Sequence, residues 1–208
     1  MPQSAPLDRV WTVPNLLSLA RLVLALVLFV LIVRGGNEPA GSEPGVWLSA
    51  TVLFVIAAST DWVDGWWARR FGQVSRLGRI FDPLVDKVIV CGTWVLLAGP
   101  ADVSAIAPWM AVVVVVRELV VTAIRAEMER VGRDFSAGPA GKLKMVLQCV
   151  AAAVELAARA WPDATLGGLS GLRDIASVVA WAAVLATVWS GLEYLWAARV
   201  LVRGETPS

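Results

Sequence analysis

The sequence predicts an all-α integral membrane protein with six transmembrane helices in a single domain spanning residues 1–208. Two observations carry that expectation. Hydrophobic residues make up 58% of the chain, with eleven tryptophans and a mean hydropathy of +0.69, which is not the composition of a soluble domain. The apolar residues also gather into six runs long enough to cross the hydrocarbon core as helices, roughly 14–33, 46–66, 83–100, 104–124, 143–161 and 174–198.

The first run follows a short stretch, MPQSAPLDRVW, that has no twin-arginine pattern. The segment behind it, RGGNEPAGSEPG, lacks a small-x-small cleavage site close behind the run. The run therefore reads as a retained span rather than a removed signal. Six spans return both termini to one side. With that side taken as cytoplasmic, the opposite face holds only Arg34, Arg159 and Arg173, while Arg9, Arg69, Arg70, Arg76, Arg79, Lys87, Arg125, Arg130, Arg133, Lys142, Lys144, Arg199 and Arg203 lie on the cytoplasmic side. This is the positive-inside asymmetry of a protein of the inner or plasma membrane, and a formal net charge of +1 conceals it. Trp11, Trp47, Trp109, Trp161 and Trp196 fall near span ends, as interfacial rings do; Trp94, Trp181 and Trp189 fall deeper, as packing residues. Cys91 and Cys149 lie inside spans and read as inert buried thiols. No linker, repeat or low-complexity segment divides the chain, and nothing in it points to a nucleic-acid partner.

The second and third spans meet in "DWVDGWWARRFGQVSRLGRIFDPLVDK", residues 61–87. On a helix, Asp61, Asp64, Gly65 and Ala68 form one stripe, acidic and then bare of side chains. Such a stripe offers a cation site beside a surface where a bulky polar ligand can approach the backbone. Asp82-Pro83 reads as an N-cap with proline at the first helical position, starting the third span, and Asp86 shares the face of Asp82. Four carboxylates near a membrane repel one another unless positive charge sits among them. Hard oxygen donors favour magnesium, manganese or calcium over zinc. The flanking Arg69, Arg70, Arg76 and Arg79 suit a ligand carrying phosphates. A proton or ion pathway is the alternative for intramembrane carboxylates, but it would not ring its acidic site with arginines, and the chain shows none of the inverted repeats of an ion-coupled transporter.

The pattern Asp61-x2-Asp64-Gly65-x2-Ala68-Arg69-x8-Gly78-x3-Asp82-x3-Asp86 resembles, without a departure, the signature of the CDP-alcohol phosphotransferases, eight fixed residues over 26 positions. The resemblance implies a six-helix, homodimeric membrane enzyme with its active site open to the cytoplasm, moving a substituted phosphate from a CDP-linked donor to an alcohol and releasing CMP. It implies that Asp61, Asp64 and Asp82 bind metal, two magnesium ions or manganese in their place, and that Asp86 is both a metal ligand and the base that takes the acceptor's proton. It also implies that Gly65, Ala68, Arg69 and Gly78 contact the CDP group, with Ser75 near the donor phosphates. The chain has no histidine, so a carboxylate must act as base.

Outside the signature, "VPNLLSLARLVLALVLF" and "RELVVTAIRAEMERVGRDFSAGPAGKLKMVLQ" resemble the phosphatidylglycerophosphate synthase branch of that family, which joins CDP-diacylglycerol to sn-glycerol 3-phosphate in phosphatidylglycerol and cardiolipin synthesis. Other acceptors, such as inositol phosphate or serine, keep the same chemistry. A phosphorylated acceptor needs a cationic cradle. Arg117 and Arg125, about two turns apart, share roughly one face of the fourth span; Arg117 lies too deep for lipid and should face a polar cavity. With Lys142 they form the expected cradle, and Arg21 is a further candidate. Glu118 reads as a partner for another helix rather than for Arg117, Lys144 and Arg130 as solvated or headgroup-facing, and Asn15 as either a helix cap or a nucleotide contact. The last sixty residues read as generic apolar helix.

Overall fold

The computed structural model describes residues 13–36, 43–71, 78–130, 139–162 and 171–202, with side chains over most of these. All of the regular structure in them is helical: α1 (Val13–Gly36), α2 (Pro44–Phe71), α3 (Gly78–Leu97), α4 (Pro108–Arg130), α5 (Pro139–Ala160) and α6 (Leu172–Val202). Helices α2, α4 and α5 open on proline, whose missing N–H is one that a first helical turn leaves without a partner anyway. At the start of α4 the carbonyl of Ala107 accepts from the amides of Met110 and Ala111, at 2.9 and 3.4 Å, and so closes the turn around Pro108.

The third helix departs from expectation. Asp82-Pro83 does not begin it: α3 already runs from Gly78, so Asp82 is a helical residue and not an N-cap. The fourth also starts later than its apolar run, because residues 104–107 are fastened outside the helix. The Ser104 hydroxyl donates to Glu155 Oε1 at 2.9 Å and accepts from the Ile106 amide at 3.0 Å, and the Ala105 amide donates to Glu155 Oε2 at 3.2 Å.

Among the described residues, two helices are by length and composition apolar enough to cross a membrane, Leu16–Gly36 and Leu172–Arg199, and Pro44–Thr60 is a shorter apolar stretch. The others carry charges that lower their hydropathy: Arg117, Glu118 and Arg125 on α4, and Lys142, Lys144, Glu155 and Arg159 on α5.

The chain divides into two compact units, Met1–Leu96 and Leu97–Ser208. In the first, α1 packs on α2. The buried residues of α1, Ser18, Arg21, Ala25, Leu28 and Ile32, recur every three or four positions, while Leu19, Val23, Leu26, Val30 and Val33 are exposed. Gly92 on α3 lies so close to the Phe29 ring that a Cβ there would stand 2.3 Å from Phe29 Cζ. Trp94 is fully buried, as expected. Trp47, expected at an interface, is 5% exposed with its ring against Gly35.

In the second unit α6 packs against both α4 and α5. Its inner stripe is small and polar, Ala176, Ala180, Ala183, Thr187, Ser190 and Tyr194, and its outer surface carries Val178, Trp181, Leu185, Trp189, Leu192 and Trp196. Trp181 and Trp189, read as packing residues, therefore face outward: the inner stripe recurs at three and four positions, and neither residue lies in its register. Cys91 and Cys149 are half-buried rather than sealed in.

Candidate functional site

In the first unit the helical path of α2 continues through Asp61, Asp64, Gly65, Ala68 and Arg69 to Phe71, so the acidic stripe expected from spacing is carried on a helix. Asp82 and Asp86, four apart on α3, share a face of that helix. The side chains of Asp61, Asp64, Gly65, Ala68, Arg69, Gly78 and Asp82, and Ser75 altogether, lie outside the described residues, as does the side chain of Asn15.

Asp86 is described, and its surroundings are specific. Its Oδ1 accepts from the Arg21 guanidinium of α1; the arginine side chain is 2% exposed and the carboxylate 21%. Arg21, a candidate for the acceptor cradle, is thus an ion-pair partner of the candidate base. A guanidinium buried in an apolar helix requires such a counter-charge.

The second unit holds a larger polar cluster. Arg117 and Glu118 of α4 are both buried, and so are Lys144 and Gln148 of α5 and Thr187, Ser190 and Tyr194 of α6. Glu118 Oε1 accepts from Lys144 Nζ and, at 3.2 Å, from Arg117. Arg117 donates from its other terminal nitrogen to Ser190 Oγ at 2.9 Å. Gln148 donates to Thr187 Oγ1 at 2.8 Å. Arg125, half-buried, donates to the Tyr194 hydroxyl at 3.0 Å. Both guanidinium carbons lie over the Tyr194 ring, Arg117 at 5.4 Å and Arg125 at 5.8 Å from its centroid, within cation–π range. The Nε atoms of Arg117 and Arg125 are buried without a hydrogen-bond partner among the described residues.

Arg117 and Arg125 are brought together, then, but Lys142 is not brought to them. It is exposed, whereas Lys144, two residues on and about 200° around the helix, is 6% exposed and joined to Glu118. The solvated reading of Lys144 is overturned because α5 turns that face toward its neighbours. Arg130 is exposed and pairs with Glu127, in line with its solvated reading. Glu118 does bind another helix, but it also bonds to Arg117, since a long side chain can bend back toward its sequence neighbour. The residues missed from sequence are Thr187, Ser190 and Tyr194. The chain's one tyrosine in an apolar run was the available signal.

Among the described residues the cluster's ionic side chains are three cations, Arg117, Arg125 and Lys144, against one carboxylate, Glu118. With the buried Nε–H groups of the two arginines in need of an acceptor, such an arrangement suits an anion.

These features define a membrane-associated helical protein with a carboxylate signature on two helices of one unit and a cationic cluster in the other. A family model described as CDP-alcohol phosphatidyltransferase matches residues 11–189, and the chain belongs to that family. Among its relatives, the CDP-diacylglycerol–glycerol-3-phosphate 3-phosphatidyltransferase of Bacillus subtilis is 32% identical over 190 residues, covering 88% of this chain and 93% of the relative. The protein of the same name from Escherichia coli K12 is 33% identical over 191 residues, covering 91% and 96%, and that of Sodalis glossinidius is 35% identical over 158 residues, covering 73% and 79%.

Proposed function

We propose that this protein transfers the phosphatidyl group of CDP-diacylglycerol to sn-glycerol 3-phosphate, giving phosphatidylglycerophosphate and CMP in phospholipid biosynthesis. The observation that supports a phosphorylated acceptor is the pair of α4 arginines over the Tyr194 ring, whose buried Nε–H groups have no acceptor among the described residues, a donor set that suits a phosphate monoester dianion. Relatives of near-equal length that bear the name of this activity support it.

In this reading Asp61, Asp64, Asp82 and Asp86 hold two divalent ions, magnesium or manganese. The donor set suits hard cations, and the Asp86 side chain is 21% exposed while paired with Arg21. Bound there, the ions neutralise the charge that collects on departing CMP. Gly65, Ala68, Arg69, Ser75 and Gly78 contact the CDP part of the donor. Arg117 and Arg125, with Lys144 in the place given to Lys142, hold the acceptor phosphate. The free acceptor hydroxyl forms the new P–O bond as the bond to CMP breaks, and its proton passes to Asp86 Oδ. Holding the acceptor by its phosphate turns an encounter in solution into an oriented one.

All six helices span the membrane in this reading. Each has 20 or more residues, about 30 Å or longer. Large apolar side chains are exposed on every one, among them Val55 on α2, Val95 on α3, Val116 on α4 and Val146 on α5, where lipid rather than water suits them. Both termini and the active site face the cytoplasm, on the positive-inside asymmetry, and the enzyme works as a homodimer, as the family resemblance implies.

The test is CMP release by the purified protein with CDP-diacylglycerol and magnesium, with glycerol 3-phosphate, inositol phosphate, serine and glycerol offered one at a time. Release with glycerol 3-phosphate alone is expected. Release only with another acceptor would keep the transferase chemistry and reject the acceptor.

A further inference from the structure

The Cα atoms of Arg117 and Arg125 stand eight residues, about 12 Å, apart along α4, yet both guanidinium groups reach the face of a single ring on α6. Three residues of α6 make it possible. Tyr194, 6% exposed, offers its π face to both cations and its hydroxyl oxygen to Arg125. Ser190, fully buried, accepts from Arg117 while donating to the Thr187 carbonyl at 3.1 Å, which fixes its lone pairs toward the arginine. Gly191 leaves the space that the arginine stem occupies, since a Cβ there would stand 3.2 Å from Arg117 Cγ.

The geometry points to Tyr194 as a positioning residue that gathers Arg117 and Arg125 into one phosphate-binding pair. This rests on the reading that these two arginines hold the acceptor phosphate. The ring takes up none of the arginines' Nε–H groups and brings no negative charge, so the cations stay ordered while their capacity for an anion is preserved. A carboxylate in its place would compete with the phosphate; an aliphatic residue would leave two mutually repelling guanidinium groups to separate. Tyr194 thereby sets how tightly the acceptor binds and leaves the chemical step to other residues.

The experiment measures kcat and both KM values for the full-length protein in lipid–detergent micelles, as Tyr194→Leu, Tyr194→Phe and Arg117→Lys, alongside thermal midpoints. Tyr194→Leu is expected to raise the KM for glycerol 3-phosphate about tenfold, with kcat and the KM for CDP-diacylglycerol within about twofold of the starting protein. Tyr194→Phe, which keeps the ring and loses only the hydroxyl acceptor, is expected to raise it about threefold. A lowered kcat with an unchanged acceptor KM, or a rise in both KM values together, would reduce Tyr194 to a packing residue and overturn the proposal. Should Tyr194→Leu fail to fold, Tyr194→Phe decides by the same split. Arg117→Lys separates the two layers of the argument: if it raises the acceptor KM while the Tyr194 variants do not, only the role of Tyr194 fails; if it too leaves that KM unchanged, the acceptor site itself is misassigned.

Discussion

Asp86 on α3 is ion-paired with Arg21 on α1, whose side chain is almost wholly buried. The residue carrying the candidate base is thus held by a helix 65 residues earlier in the chain. Removing either partner takes a counter-charge away from the other. Asp86→Asn is expected to lower CMP release by at least about 100-fold, the usual worth of a positioned general base. Arg21→Leu is expected to lower it by about tenfold and to reduce stability as well, while Arg21→Lys restores part of both. Initial rates of CMP formation and a thermal melt on the same preparations check this; full activity in Arg21→Leu would mean the pair has no bearing on Asp86.

Glu118 joins Arg117 to Lys144 across α4 and α5. Glu118→Gln removes the charge that pairs with both Arg117 and Lys144, so it should destabilise by about 3 kcal/mol. The double variant Glu118→Gln/Lys144→Met should recover part of that loss. A double-mutant cycle of denaturation free energies reads the coupling directly, and additive losses would contradict the pairing.

Glu155, 2% exposed, accepts from Ser104, the Ala105 amide and Arg159, and Arg159 also donates to the Leu97 carbonyl at 2.7 Å. One carboxylate therefore fastens the segment between α3 and α4 to α5. Glu155→Ala should cost about 2–4 kcal/mol by taking the acceptor from the Ser104 hydroxyl and the Ala105 amide, and acceptor KM in the folded fraction should be unchanged. A shift in KM without loss of stability would assign Glu155 to the chemistry instead.

Gly92 sits under the Phe29 ring with no room for a Cβ. Gly92→Ala should destabilise by about 1–3 kcal/mol through overpacking, and the pair Gly92→Ala/Phe29→Leu should be closer to the starting protein than the alanine variant alone. Thermal midpoints of the three proteins decide it.

Chelation of divalent ions should abolish CMP release, magnesium or manganese should restore it, and zinc should not, because the four aspartates proposed as ligands are hard-oxygen donors. Recovery with zinc alone would overturn the assignment of the aspartates.

Much of this was legible in the chain. Apolar runs located the six helices of the described residues, with ends displaced by up to about six residues, because a long helix packed or embedded along one side needs a long apolar stretch. The errors fall where local rules met tertiary ones. Asp82-Pro83 has the form of a helix start, yet α3 begins at Gly78. Trp181 and Trp189 were placed inward by depth, but depth along a helix does not say which side faces out. In the candidate site, the eight-residue spacing of Arg117 and Arg125 put them on a shared face, and the structure brings them to a shared ring. Tyr194 went unnoticed because its partners lie 69 or more residues away, beyond any periodicity.

The sequence by itself determined the family, the helices and the carriers of charge, since fixed spacing and hydropathy are properties of the chain read locally. Only the tertiary structure decided that Lys144 and not Lys142 turns inward, that Arg21 answers Asp86, and that an apparently plain apolar helix supplies Ser190, Gly191 and Tyr194 to two arginines. The reason is physical: a helix fixes the angle between its own side chains, but which of them is buried depends on the neighbour it packs against.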